Sequence, residues 1–232
     1  MSAEARDAIF ERLRRALGRH GPGVSEARRA IEARLANPQP TLIPARADLP
    51  LAERVALFIA QAEAVQSTVL RTPRYATLPD VVADYLRSCN LPLRLVMAAD
   101  PVLRRADWRR GMVEARVDRV SGEDPIGLTT AFAGIAETGT LMLLSAPETP
   151  TLLAFLPETA IVLLPTTRIL RAYEDGFRLL RQEKRGLPRS INLITGPSRS
   201  GDIEQTIQLG AHGPRRLCIV LVDEPASGDT DS

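Results

Sequence analysis

The sequence predicts an α/β fold with a mostly parallel central sheet flanked by helices, preceded by an N-terminal helical arm. Three observations predict it. Short apolar runs at 93–98, 160–164 and 217–223 have the continuous pattern of strands buried on both faces. Segments with helical apolar spacing stand between such runs, as the crossovers of parallel strands require. The first 50 residues also hold helical patterns of their own, set apart by a proline-rich stretch.

In chain order, Ile9, Leu13 and Leu17 place one apolar face on a helix over 3–19. His20-Gly-Pro-Gly23 breaks it, and a second helix is expected from Ser25, as its N-cap, to Ala36. Asn37-Pro-Gln-Pro40 and Pro44 make an extended linker, so residues 1–50 form the arm and linker. Residues 51–224 form the α/β domain, and the acidic, polar stretch 225–232 reads as a flexible tail. Within the domain, helical spacing runs from Leu51 to Leu70, through Val55, Phe58, Ala62, Val65 and Val69. A helix starts at Thr77-Leu-Pro-Asp80 and ends near Asn90, followed by strands at 93–98 and 112–117. After a loop at 121–125 come AGIAETGTLMLLSA (133–146), a strand at 160–164 and a helix over 169–183. A strand at 190–195 and a helix from near Asp202 lead to the last strand, at 217–223.

Composition excludes several function classes. With 44% apolar and 25% charged residues the chain reads as a globular, cytoplasmic protein, and no apolar run is long enough to span a membrane. A net charge of +2, spread along the chain, gives no nucleic-acid footprint. Lys184 is the one lysine, which nearly removes Walker-type and Schiff-base chemistry. Cys89 and Cys218 are the two cysteines, in no metal-binding spacing; an ordinary iron–sulfur cluster takes four thiolates, so no cofactor is assigned to this chain. No G-x-G-x-x-G follows a strand.

Two segments carry the candidate chemistry. In the first, Glu137 stands alone in an apolar run, followed by Thr138, Gly139 and Thr140. Gly139 permits a kink and the threonines can hydrogen-bond a carboxylate or a ligand. A buried charge must be compensated or face a cleft, so Glu137 is the candidate catalytic residue, as base, nucleophile or ligand anchor. It equally suits a carboxylate that merely bonds backbone amides at a bulge. In the second segment, Gly196, Pro197, Ser198, Arg199 and Ser200 precede the helix expected near Asp202. Free N–H groups there, with a guanidinium and hydroxyls, would hold a small anionic ligand. Asp202 and Glu204 belong to the same site, or serve only as a cap and dipole complement. His212, before Gly213-Pro214, is either a titrating group of that cleft or a C-cap.

In combination, GIAETGTLML (134–143), TGPSRSGDIEQTIQLGAHGPRRL (195–217) and CIVLVDE (218–224) resemble the LUD-domain proteins, specifically the lactate utilisation protein C family. The resemblance covers roughly residues 51–224. Gly134 stands where alanine is more usual, and Ser200-Gly201 where Thr-Ala is common. The resemblance implies a NagB/RpiA/CoA-transferase-like fold and a part in oxidising L-lactate to pyruvate beside two iron–sulfur partner proteins. The clusters would then sit on those partners, with this chain a subunit or accessory. By fold analogy, Glu137-Thr-Gly139 is also similar to the glutamate of class I CoA transferases, an acyl-transfer or sugar-phosphate alternative. A pure interaction module is the third reading.

Overall fold

The computed structural model describes residues 3–18, 22–38, 42–110, 112–183, 186–201, 207–210 and 212–224. His20, Asp202, Glu204 and the 225–232 tail lie outside them. The chain divides into two compact units, residues 1–43 and residues 44–232. The division falls seven residues ahead of Leu51, because Ala47 is fully buried in the second unit.

The first unit holds α1 (Ala3–Ala16) and α2 (Pro22–Ala36). The second helix begins three residues ahead of Ser25, so Ser25 is not its N-cap. Proline at the first helical position explains the early start: its fixed φ suits a helix, and its missing N–H would have had no partner there.

In the second unit, α3 (Leu51–Ala64) buries Val55, Phe58 and Ala62 and stops earlier than the periodicity predicts. Gln66 takes φ of +66°, which ends the helix, and 68–72 is a strand, β1 (Thr68–Thr72), rather than a last helical turn. The elements that follow are α4 (Leu78–Ser88), β2 (Arg94–Met97), β3 (Glu114–Val117), β4 (Ile126–Thr130), β5 (Ala133–Ile135), β6 (Thr140–Leu144) and β7 (Thr159–Pro165). After them come β8 (Ile169–Leu170), α5 (Tyr173–Glu183), β9 (Ile191–Ile194), β10 (Arg199–Gly201), β11 (Ile207–Leu209) and β12 (Arg216–Val222). Residues 169–170, expected in the helix, instead pair with β5, so α5 starts at Tyr173.

The main sheet has six strands in the order β1-β12-β7-β4-β2-β3, every neighbouring pair parallel. Alternate residues of β7 and β12 enter different cores. Ile161, Leu163, Cys218 and Val220 pack with Leu78 and Val82 of α4. Val162, Leu164, Ile219 and Leu221 pack with Phe58 of α3 and with Leu141. Both faces are therefore dry, which is why these strands read as unbroken apolar runs. A second sheet, in the order β8-β5-β6-β9, is mainly antiparallel. The sequence did not indicate it, and it moves the strand at 190–195 out of the parallel sheet. A Cβ on Gly134 of β5 would stand 2.6 Å from Leu164 Cδ2 and 2.9 Å from Phe58 Cε2, so the bare glycine lets the two layers close. On the far side, α5 packs on the second sheet through Leu180, beside Met142 and Ala133.

Candidate functional site

The β5–β6 connection forms a tight turn that places Glu137. Ala136 and Glu137 donate backbone N–H bonds to Leu170 and Arg171 carbonyls at 2.8 and 3.1 Å. Gly139 follows with φ of +66°, and a Cβ there would lie 2.3 Å from the Ala62 nitrogen. The turn therefore rests backbone to backbone on the last turns of α3. The Glu137 side chain is 9% exposed, and Arg46 Nη2 donates to its Oε1 at 2.8 Å. Arg46 belongs to the short turn Ala45–Ala47 ahead of α3, and Asp48, next along, accepts from Arg171 Nη1 at 3.0 Å. A carboxylate this enclosed needs such a partner. The arginine itself is 64% exposed, so its own desolvation is small.

Beside the carboxylate lies a cluster of hydroxyls. Thr140 Oγ1 is within 2.7 Å of Thr138 Oγ1, 2.9 Å of Tyr173 Oη and 2.7 Å of Thr195 Oγ1. One donor and two acceptor lone pairs match three neighbours, so the fully buried Thr140 is satisfied. The cluster ties the Glu137 turn to the end of β9. There Gly196 has φ of +82°, and a Cβ on it would stand 2.5 Å from the Val65 carbonyl oxygen. Both segments singled out in the sequence thus seat a glycine on the same end of α3, residues 61–65.

Beyond Gly196 the geometry departs from expectation. Arg199 to Gly201 and Ile207 to Leu209 are paired antiparallel strands, so 207–209 is not helical and no helix N-terminus faces this loop among the described residues. His212 consequently follows a strand and cannot cap a helix. Pro197 is buried. Ser198 is engaged with the 210–214 loop: its N–H donates to Pro214 O, its carbonyl accepts from Gly210, and its Oγ accepts the His212 N–H at 3.3 Å. Arg199 Nη2 donates to the Val65 carbonyl at 3.2 Å. Ser200 contributes backbone to β10. The structure brings Glu137, Thr138, Gly139 and Thr140 together with Gly196 and Arg199 around the end of α3, while His212 is exposed. It also adds residues no spacing indicated, Arg46, Tyr173 and Thr195.

Next to this turn, the start of α5 carries a charge network. Arg171 donates to both Asp175 oxygens, at 2.9 and 3.1 Å, and Arg178 adds a third bond at 2.9 Å. Burial alone would raise the Asp175 carboxyl, but the Arg171 hydrogen bonds and the charges of Arg171 and Arg178 hold it below the usual carboxylate range. Arg171 is correspondingly raised by Asp175 and Asp48. The sign for stability follows. Asp175 is depressed in the folded state, so its contribution is present above the ordinary carboxylate range and is lost as pH falls through the lower folded value. Asp175→Asn is expected to flatten the acid limb of a melting-temperature profile, with wild type and variant converging as pH falls through the depressed carboxyl value. Parallel profiles at every pH would contradict this.

Among the described residues no group of three His, Cys, Asp or Glu side chains is placed to hold a metal ion. Nor is any helix among them long and apolar enough to cross a membrane. What the site offers is a nearly buried carboxylate whose charged partner among the described residues, Arg46, is itself exposed. A ligand carrying a cation or N–H and O–H donors can compete with Arg46 for it, and withdrawal of Arg46 would free it as a base.

Comparisons with known proteins find a resemblance over the second half of the chain. Residues 112–222 match the LUD domain model, a span that encloses both glycine-bearing turns. An uncharacterised protein of Neisseria meningitidis serogroup B is 38% identical over 96 residues, 41% of each chain. The lactate utilization protein C of Halalkalibacterium halodurans is 33% identical over 120 residues, 50% of this chain and 52% of that protein. The Bacillus subtilis protein of that name is 33% identical over 102 residues, 43% and 42% of the two chains. The chain thus spans about half the length of the curated relatives it matches. A solved DUF162 family protein from Deinococcus radiodurans superposes with a TM-score of 0.58 at 21% identity, covering 75% of this chain and 99% of that one, which shows a shared fold. Over residues 112–222 the chain is thus similar to the LUD domain proteins.

Proposed function

We propose that this protein serves lactate utilisation, as a cytoplasmic subunit or accessory of an iron–sulfur system that oxidises L-lactate to pyruvate. The observation that carries the reading is the LUD match, which encloses the Glu137 and Gly196 turns, together with relatives named lactate utilization protein C. Oxidising lactate to pyruvate releases two electrons and two protons. Two cysteines do not make an ordinary four-thiolate cluster, so the electrons pass to clusters on two partner proteins. This chain's share is to hold the substrate or the partners, with Glu137 and Arg46 as the polar contact. Affinity purification of the tagged chain from lactate-grown cells should bring down cysteine-rich partners bearing iron. Recovery of the chain alone, under gentle lysis and anaerobic handling, would count against the complex.

A second reading rests on the Glu137 turn itself. A nearly buried carboxylate in a Glu-Thr-Gly turn can serve as an acyl-transfer nucleophile, attacking a thioester carbonyl and expelling the thiolate to form a mixed anhydride. Arg46 stands on that oxygen in this structure and would have to withdraw first.

A further inference from the structure

The C-terminal ends of β2, β4 and β7 open on a cleft of about 560 Å³ that none of the residues discussed above for the Glu137 site lines. Its place follows from the topology. After β2 the chain passes to β3 on one side, and after β4 it passes to β7 on the other. The connections diverge there, which leaves a crevice at the carboxyl ends of the strands, the usual ligand position in open α/β sheets. The cleft lies at the base of the β5–β6 hairpin, whose tip carries Glu137.

Asp100, just beyond β2, is the polar focus. Its Oδ1 accepts the Val102 N–H at 2.9 Å and its Oδ2 accepts the Thr130 hydroxyl at 2.5 Å. A carboxylate has about four lone-pair sites, so these two bonds fix its orientation and leave one open site on each oxygen. That arrangement suits a pair of adjacent hydroxyl donors. Much of the remaining wall is hydrocarbon, including Phe132, Leu144, Leu163, Pro165 and Leu187. Arg168 lies over the Phe132 ring at 5.8 Å and is paired with Glu183 at 2.7 Å. The lining thus holds two carboxylates to one guanidinium, which disfavours a phosphate chain.

We propose that this cleft binds a nucleoside-type ligand, a sugar whose vicinal hydroxyls donate to Asp100 and whose ring lies on the hydrocarbon wall. The volume falls in the range of small-molecule sites and far exceeds what a three-carbon acid needs, so the site is separate from the lactate reading and stands without it.

The test uses the full chain with adenosine, 2′-deoxyadenosine and adenosine monophosphate, by ligand-observed NMR titration. Adenosine should bind, and 2′-deoxyadenosine should bind at least tenfold more weakly, having lost one hydroxyl donor. The monophosphate should also be weaker. Asp100→Asn should weaken adenosine at least tenfold. Ala146→Trp, a substitution at an exposed rim position that fills the opening, should abolish binding even if Asp100→Asn fails to fold. No binding of adenosine by the wild type, an affinity indifferent to both substitutions, or preference for the monophosphate would overturn the proposal.

Discussion

Replacing Gly139 by alanine is expected to lower stability by about 2–5 kcal/mol, the largest effect of any single methyl group added in the Glu137 turn. Two costs combine. The residue has φ of +66°, where an L side chain costs roughly 1–2 kcal/mol. The new Cβ would also stand 2.3 Å from the Ala62 nitrogen and 2.6 Å from the Gln61 carbonyl carbon. Those are backbone atoms of a helix that packs on the sheet through Phe58 and Val55, so the turn or the helix must move, at an overpacking cost of about 1–3 kcal/mol. For a domain of this size the sum is a fall in melting temperature of roughly 5–20 °C. Gly122→Ala is the matched control, since nothing lies within 4 Å of its Cβ, and should change little. Equal melting temperatures for the two variants would show that the turn does not rest on α3 as described.

Glu137→Gln is expected to have the largest functional effect. Glutamine keeps the size of the side chain, and its carbonyl can still accept from Arg46, so the melting temperature should stay within about 2 °C of wild type. What disappears is the negative charge. If Glu137 acts as base, nucleophile or anchor, lactate-dependent turnover should fall about 10²–10⁴-fold. Arg46→Ala is the informative companion. It removes an exposed guanidinium but leaves a nearly buried carboxylate without that partner, so it is expected to cost about 1–3 kcal/mol of stability. Full activity in Glu137→Gln would reduce the carboxylate to a fastening for residues 44–48.

How far the sequence revealed these features depended on whether their cause was local. The strands at 160–164 and 217–223 were legible because both of their faces are buried, which leaves an unbroken apolar run. The strand β4, Ile126-Gly-Leu-Thr-Thr130, lacks such a run: its core contacts come from Ile126 and Leu128, while Thr130 is turned to Asp100. Ile207-Gln-Leu209 alternates apolar and polar residues, a strand pattern that the nearby Asp202 and Glu204 had outweighed as helix-start signals. The Glu137 turn was visible through its residue types, and Gly139 announced the kink. Its partners were not, because Arg46 lies 91 residues from Glu137, and Thr195 and Tyr173 lie 55 and 33 residues from Thr140. An exposed arginine in a proline-containing stretch carries no signal that it covers a carboxylate elsewhere in the chain. The helix expected to run from near Asp202 gives way to a strand at 207–209 for a related reason. A Gly-Pro turn is equally suited to enter a helix or a hairpin, and packing of Gly196 against Val65, followed by β10–β11 pairing, selects the hairpin.

A role in lactate utilisation is tested by growth on L-lactate as sole carbon source of a strain that lacks this gene and any paralogue, restored with plasmid-borne wild type. The deletion strain is expected not to grow on lactate, to grow normally on pyruvate, and to be fully restored by the wild-type gene. Normal growth of the deletion strain on lactate would contradict that role.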